Sequence, residues 1–228
     1  MTPREFNERL TKRARKASVS LDPQAIDSLS AYYRLLEFWN EKVNLTAFSL
    51  KDAPDEAIDR LLIEPLVAAR HLHGSPGQGQ GPRLGPHPRL LDVGSGGGSP
   101  AIPLKIAIPS LHLVMVESKT RKSAFLREAI RQLNLTDTSV ETVRAEDLLT
   151  RPELHESQDL VSVRAVRVEQ KLLTSIQAFL RLGGRILLFR TSTGADTPPL
   201  VAPPLVYEAT WTLVENLRSR LIVLRKML

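Results

Sequence analysis

The stretch LLDVGSGGGSPAIP, residues 90–103, runs a short apolar segment into four glycines within five positions. A brief apolar run stopped by glycine reads as a buried strand. Glycine has no Cβ, so it accepts positive φ and lets another group come hard against the backbone. Either a ligand is approached that closely at the end of this strand, or the glycines only make a tight turn into the next helix. In both cases the fold has to be arranged around the carboxyl end of this strand.

From Arg89 onward the rhythm repeats. RLLDV, HLVMVE, SVETVRA, DLVSVRA and GRILLFR are short, mostly apolar strands. Segments of helical periodicity separate the first three and follow the fourth, while only a short turn around Glu146–Leu149 fits between the third and fourth. Such alternation implies an α/β fold with a doubly wound, largely parallel sheet. The end differs: YEATWTLV and SRLIVLRK flank a short polar turn and read as an antiparallel hairpin. Upstream, residues 3–17 read as an amphipathic basic helix. LDPQAIDSLSAYYRLLEFWN gives a second, with Asp22 as N-cap and Pro23 at the first helical position. Ile26, Leu29, Tyr33, Leu36 and Trp39 (or Phe38) recur there at three- and four-residue steps and are assigned to the core. DAPDEAIDRLLIEPLVAARHL is a third helix, which Pro65 can kink. The expected organisation is an N-terminal helical extension at 1–72, a Gly/Pro-rich linker loop at 73–88 and an α/β domain at 89–228.

Composition narrows the function. The 228 residues include no cysteine, which excludes disulfides, thiolate metal sites and cysteine nucleophiles. No run approaches the roughly 18 apolar residues of a membrane span, and no signal-peptide pattern opens the sequence. A cytoplasmic protein without a membrane association is expected, and a monomer suffices. His71, His73 and His87 have no acid at ligand spacing, so no metal is expected. The net charge of +6 and the pI of about 9.8 favour a polyanionic partner. Within residues 1–20, Arg4, Arg9, Lys12, Arg13, Arg15 and Lys16 face only Glu5 and Glu8. That run is either a patch for such a partner or a solvated helix face. PPLVAPPL, residues 198–205, reads as a stiff connection into the final hairpin.

In a doubly wound sheet, ligands bind beyond the carboxyl ends of the strands. The first strand ends at Val93, which places Gly94, Gly96, Gly97 and Gly98 there. A dinucleotide site asks for G-x-G-x-x-G, but the third position here is Ser99. The glycines fall instead as G-x-G-x-G, with Asp92 two residues before the first. That spacing resembles class I (Rossmann-like) methyltransferases, whose loop wraps the amino-acid end of S-adenosylmethionine rather than a pyrophosphate. Glu117 ends the second strand nineteen residues past Gly98, where an acid can accept hydrogen bonds from both ribose hydroxyls. The acid suits a nicotinamide cofactor equally, so the glycine spacing has to discriminate. A nicotinamide oxidoreductase is accordingly the third-ranked alternative.

DVGSGGGSPAIPLKIAIPSLHLVMVESKTRKSAFLREAIRQLNL resembles the small-subunit rRNA methyltransferase G family, also called glucose-inhibited division protein B. WNEKVNLTAFS is similar to that family's W-N-x-x-x-N-L-T signature, VRAEDL to its adenine-side turn and SVRAV to its S-R-A segment. The resemblance spans roughly Tyr32 to Arg190 and joins four separated motifs in order. It implies transfer of a methyl group from S-adenosylmethionine to N7 of one guanine in the decoding region of 16S rRNA. The partner would be that RNA or the small ribosomal subunit. It implies further that Gly94 and Ser99 touch the cofactor, that Ala145 and Glu146 flank the adenine, and that Arg164 sits between cofactor and guanine. The chain departs from the family where R-H-x-x-D-S becomes RLLIEP, with Arg60 kept but Leu61, Glu64 and Pro65 substituted. Ala101 replaces the glycine of G-x-P-G, and Arg190-Thr191 replaces a K-G pair.

The chemistry of the acceptors agrees. Methylation at C5 of a pyrimidine needs a cysteine, and amine methylation usually an N/D-P-P-Y/F motif where this chain has SVRAV. Guanine N7 carries a lone pair and no proton, so no general acid or base is assigned and catalysis is mostly positioning. Arg164 is the positioning candidate. Arg9, Lys12, Arg13, Arg60, Lys119, Arg121, Lys122, Arg190 and Arg220 are the RNA-facing candidates, each equally readable as a surface charge. The alternatives are a methyltransferase with a small-molecule or protein acceptor, and a non-catalytic relative that binds RNA or a ribosomal particle.

Overall fold

Five strands run parallel: β1 (Arg89–Val93), β2 (His112–Val116), β3 (Thr138–Glu141), β4 (Gln158–Arg164) and β5 (Leu180–Thr191), and all but the edge strand β3 carry buried residues. The computed structural model describes residues 1–72, 84–164, 169–192 and 201–227. Most of the linker assigned to 73–88, and the first three residues of the proline-rich stretch at 198–205, lie outside the described residues. β6 (Leu205–Thr212) and β7 (Ser219–Lys226) form the expected antiparallel hairpin, and β7 inserts beside β5. The sheet order is β3-β2-β1-β4-β5-β7-β6. The order in which strands are added therefore reverses between β1 and β4, where an open sheet of this kind leaves its ligand crevice.

Register makes that crevice flat-bottomed. Val93 pairs with Val116 on one side and Val163 on the other, so β1, β2 and β4 end level. Gly94, Glu117 and Arg164 consequently emerge along one line. Two strands differ from their sequence limits. β3 stops at Glu141 instead of running to Ala145, because Ala145–Thr150 closes into a 3₁₀ turn. β5 begins at Leu180, ahead of Gly183 and Gly184, and its register against β4 shifts between Gln158 and Leu160.

The N-terminal helices follow their local signals. α1 (Pro3–Lys16) starts with a capping box in which Thr2 and Glu5 satisfy each other's backbone N–H. α2 (Pro23–Val43) is capped by Asp22, whose carboxylate accepts from the Ala25 N–H at 2.7 Å, with Pro23 in the first turn. It stops at Asn44 in the left-handed region. Trp39, not the exposed Phe38, turns inward and meets Phe125 edge-on at 5.9 Å. α5 (Ala101–Ala107) and α6 (Thr120–Gln132) cover the same sheet face, and their buried residues share one continuous core with those of α1 and α2. The other face packs against α7 (Gln170–Ile176) and the 3₁₀ turn.

The third helix is not a simple proline kink. It is α3 (Asp55–Ile58), a π-turn over Asp59–Ile63, and α4 (Glu64–Leu72). The Glu64 N–H reaches back five residues to the Asp59 carbonyl. Pro65 has no N–H to give the Leu61 carbonyl four residues earlier. That carbonyl is left to another partner.

Candidate active site at the level strand ends

The glycine loop answers the opening question twice. A Cβ on Gly97 would stand 3.0 Å from Leu36 Cδ1 and 3.3 Å from the Leu45 carbonyl, both on the N-terminal side of the fold. A Cβ on Gly98 would lie 2.5 Å from Ile102 Cδ1, at a φ of +83°. These two glycines admit neighbouring parts of the protein. Gly94 and Gly96 are also at positive φ, +75° and +52°, but Gly96 has no atom nearer than 3.8 Å to an added Cβ, and Gly94 is exposed. These two leave backbone open at the crevice. The Tyr32 hydroxyl donates to the Gly97 carbonyl at 2.6 Å and pins the loop to α2.

Two acids flank the loop. Asp92 is fully buried; its Oδ1 accepts from the Ser162 hydroxyl at 2.5 Å, and its Oδ2 has no partner among the described residues. Burial pushes its pKa up, against the pull of Ser162. Glu117 accepts the Gly96 N–H at 2.9 Å on one oxygen and the Lys119 N–H at 2.8 Å on the other. Each oxygen keeps a second lone pair for a ligand hydroxyl. Ala145 is buried at the start of the 3₁₀ turn beyond β3, and Glu146 beside it is exposed.

Across the switch point the construction changes to side chains. Arg164 Nη1 donates to Ser99 Oγ at 3.1 Å and Nη2 to Glu64 Oε2 at 2.8 Å. Glu64 holds Arg60 Nη1 at 3.0 Å on its other oxygen, and Arg60 Nη2 donates to the Leu217 carbonyl at 3.2 Å. Burial raises the Glu64 pKa and lowers that of Arg164, and each charge opposes the shift of the other. Ser99 Oγ in turn donates to the Leu61 carbonyl at 2.8 Å, the group that Pro65 leaves without a helical donor. One hydroxyl thus ties the glycine loop, Arg164 and the third helix together. A cavity of about 330 Å³ adjoins this network, lined by Phe48, Glu56, Arg60, Glu64, Arg164, Phe189, Arg190 and Thr191.

The remaining basic candidates divide. Arg9 donates to the Asp52 and Ala53 carbonyls, and Arg13 is held by Asp55 and Asp59, so these two brace α1 against α3 and the π-turn. The exposed Lys12, Lys119 and Arg121, the half-buried Lys122 and the exposed Arg190 have no side-chain partner among the described residues. Arg220 stands directly opposite Arg190 in the β5–β7 ladder. The sequence reading missed Glu64 as the link between Arg60 and Arg164, the anchoring hydroxyls of Tyr32 and Ser162, and the cavity residues Phe48, Glu56 and Phe189. A four-residue step from Asp55 to Asp59 was the one local signal for the α1 brace.

Residues 25–197 match the family described as rRNA small subunit methyltransferase G. The chain belongs to that family. A ribosomal RNA small subunit methyltransferase G from Roseiflexus castenholzii (strain DSM 13941 / HLO8) is 35% identical over 180 residues, covering 79% of this chain and 71% of the relative. Its namesake from Geobacter sp. (strain M21) is 34% identical over 189 residues, covering 83% and 79%. Among solved structures, MtNAS in complex with MTA and tNA superposes with a TM-score of 0.56 at 15% identity, over 88% of this chain and 73% of that one. The [4+2]-cyclase SpnF gives 0.54 at 14% identity, over 76% and 82%. Those two likenesses concern the fold alone, and a cyclase among them shows that this fold does not dictate one reaction. In the RLLIEP segment Glu64 spans both arginines, and Pro65 frees the carbonyl that Ser99 takes. The cofactor is S-adenosylmethionine, and the open backbone at Gly94 and Gly96 with the Glu117 carboxylate fits it. Among the described residues no helix is long and apolar enough to cross a membrane.

Proposed function

We propose that the protein methylates ring N7 of a guanine in small-subunit (16S) rRNA. The observation that carries this reading is the Arg164 bridge, which joins the glycine loop through Ser99 to the cavity beyond β4 and β5. S-adenosylmethionine supplies an electrophilic methyl carbon on a sulfonium. Gly94 and Gly96, with Ser99, hold its amino-acid end; Glu117 takes its ribose; Ala145 and Glu146 border its adenine. Asp92 stiffens the end of β1 beneath the loop through its hydrogen bond from Ser162.

The acceptor makes few demands on the protein. The N7 lone pair forms the new N–C bond as the S–C bond breaks, and no proton leaves. What remains is alignment, which can supply much of such a rate enhancement. Arg164, fixed at both ends, provides it. Lys12, Lys119, Arg121, Lys122 and Arg220 are assigned to phosphates, which position the RNA without reading sequence. The cysteine-free, basic composition supports a cytoplasmic location.

The test is incubation with labelled S-adenosylmethionine and small ribosomal subunits lacking the modification, followed by digestion to nucleosides. Label is expected in 7-methylguanosine. Label in another nucleoside, or binding of cofactor and subunit with no transfer, would overturn the reading.

A further inference from the structure

The cavity beside Arg164 is lined by one cation and one carboxylate that no other described residue engages. Arg60, Glu64 and Arg164 are committed to one another, to Ser99 and to the Leu217 carbonyl. The side chains of Arg190 and Glu56, both exposed at the same cavity, make no hydrogen bond or ion pair with the described residues. Phe48 and Phe189 supply apolar surface, and the volume of about 330 Å³ lies at the small end of the roughly 300–1,000 Å³ usual for small-molecule sites.

Nucleic-acid geometry says what such a slot could take. N7 faces the major groove, which in A-form RNA is too deep and narrow for side chains to read. An enzyme acting there takes the base out of its stack and reads the exposed edges in a pocket. Guanine offers an acceptor pair, O6 and N7, on one edge and donors, N1–H and N2–H₂, on another. A free guanidinium and a free carboxylate match that pattern.

We propose that this cavity receives the unstacked target guanine, with Glu56 accepting from N1–H and N2–H₂ and Arg190 donating to O6. The assignment rests on the N7 reading given above and makes Glu56 and Arg190 its specificity-determining residues. It adds an electrostatic role. As the N7–C bond forms, positive charge spreads over the purine and strengthens its N1–H and N2–H₂ as donors. A carboxylate on that edge is favoured more in the transition state than in the ground state. Arg190 opposes the same charge, so its place is at O6 and away from N7.

The experiment compares wild type and Glu56→Ala on small subunits carrying guanosine or inosine at the position the wild type modifies. Inosine keeps N1–H and lacks the N2 amine. Wild type is expected to favour guanosine over inosine in kcat/KM by roughly 5- to 150-fold, and Glu56→Ala to lose most of that preference. Affinity for S-adenosylmethionine and Tm should stay as in wild type, since the Glu56 side chain has no partner among the described residues. Arg190→Gln should lower kcat/KM on guanosine subunits, with partial rescue by Arg190→Lys. A preference unchanged in Glu56→Ala, or no preference in wild type, overturns the assignment. Absence of 7-methylguanosine from wild type on guanosine subunits is a separate result: it removes the N7 reading, and the pocket assignment with it.

Discussion

The two sides of the crevice are built by different means. On the β1–β2 side the main chain does the holding: both oxygens of Glu117 accept backbone N–H groups, and the loop turns on glycine φ values. On the β4–β5 side the work falls to side chains, with Glu64 between two arginines and Ser99 between Arg164 and Leu61. Main-chain construction ties geometry to the local sequence. Side-chain construction ties it to whatever the tertiary fold brings near, and it concentrates charge where water is scarce. The fold of the first side should therefore be most sensitive to changes of shape, and that of the second to changes of charge.

Removing Glu64 should produce the largest effect. Glu64→Ala leaves two guanidinium groups in a buried setting without their counter-charge, and breaking such a pair typically costs ~3–5 kcal/mol. Urea denaturation should show a correspondingly lower midpoint at unchanged slope. A loss below about 1 kcal/mol would place this network among solvent-screened pairs and erase the contrast. On the main-chain side the counterpart is shape. Gly98→Ala drives a Cβ to 2.5 Å from Ile102 at positive φ, and overpacking plus left-handed strain should cost ~2–4 kcal/mol. Gly96→Ala meets no close atom, so only the backbone strain of ~1–2 kcal/mol remains. Its larger effect should be on cofactor affinity, read by titration calorimetry. Equal stability losses in the two variants would contradict the division of the glycines.

Glu117 sharpens the same point through binding. Glu117→Ala removes the acceptor for two backbone amides and for the ribose, and two charge-assisted hydrogen bonds are worth enough to raise the Kd for S-adenosylmethionine roughly 10- to 100-fold. Glu56→Ala, across the crevice, should leave that Kd alone. A Kd indifferent to Glu117 would move the ribose elsewhere.

The same contrast explains what could be read from the sequence. The succession of strands along the chain, the glycine loop, Glu117 at the end of β2 and the Asp22 cap are all apparent, because each rests on a short-range pattern of apolar residues, turns or capping side chains. The helix at Pro65 was read as a kink. Its π-turn was not, because the carbonyl that the proline frees finds its donor only in Ser99, thirty-eight residues further on. Glu64 and Arg164 are a hundred residues apart, and Arg60 and Leu217 more than that. No spacing rule connects such partners. The basic run of α1 shows the limit from the other direction. Arg13 is one of the RNA-facing candidates of the sequence, and its guanidinium is held by Asp55 and Asp59. Charge can be counted in a sequence, but whether it is already neutralised depends on packing.

The smallest expected effect lies on the side-chain half and concerns pH. His71, on the same α4 as Glu64, stacks on Trp211 of β6 with ring centroids 4.8 Å apart, and its buried Nε2 has no partner among the described residues. Burial, and then the neighbouring Arg70, lower its pKa from 6.5. As pH falls through about 6.5, the unfolded chain takes up a proton that the folded ring does not. The unfolded state then binds more protons, so stability present above that pH is lost on acidification. For a half-buried ring the loss should stay under ~1 kcal/mol after solvent screening. His71→Phe keeps an aromatic face for Trp211 and has nothing to protonate. Melting curves from about pH 7.5 down to about pH 5.5, bracketing the usual histidine range, should show a shallower decline in Tm for that variant than for wild type. Parallel declines would assign the acid sensitivity of this half to other groups, with the Glu64 cluster the first to test, and would leave His71 as packing alone.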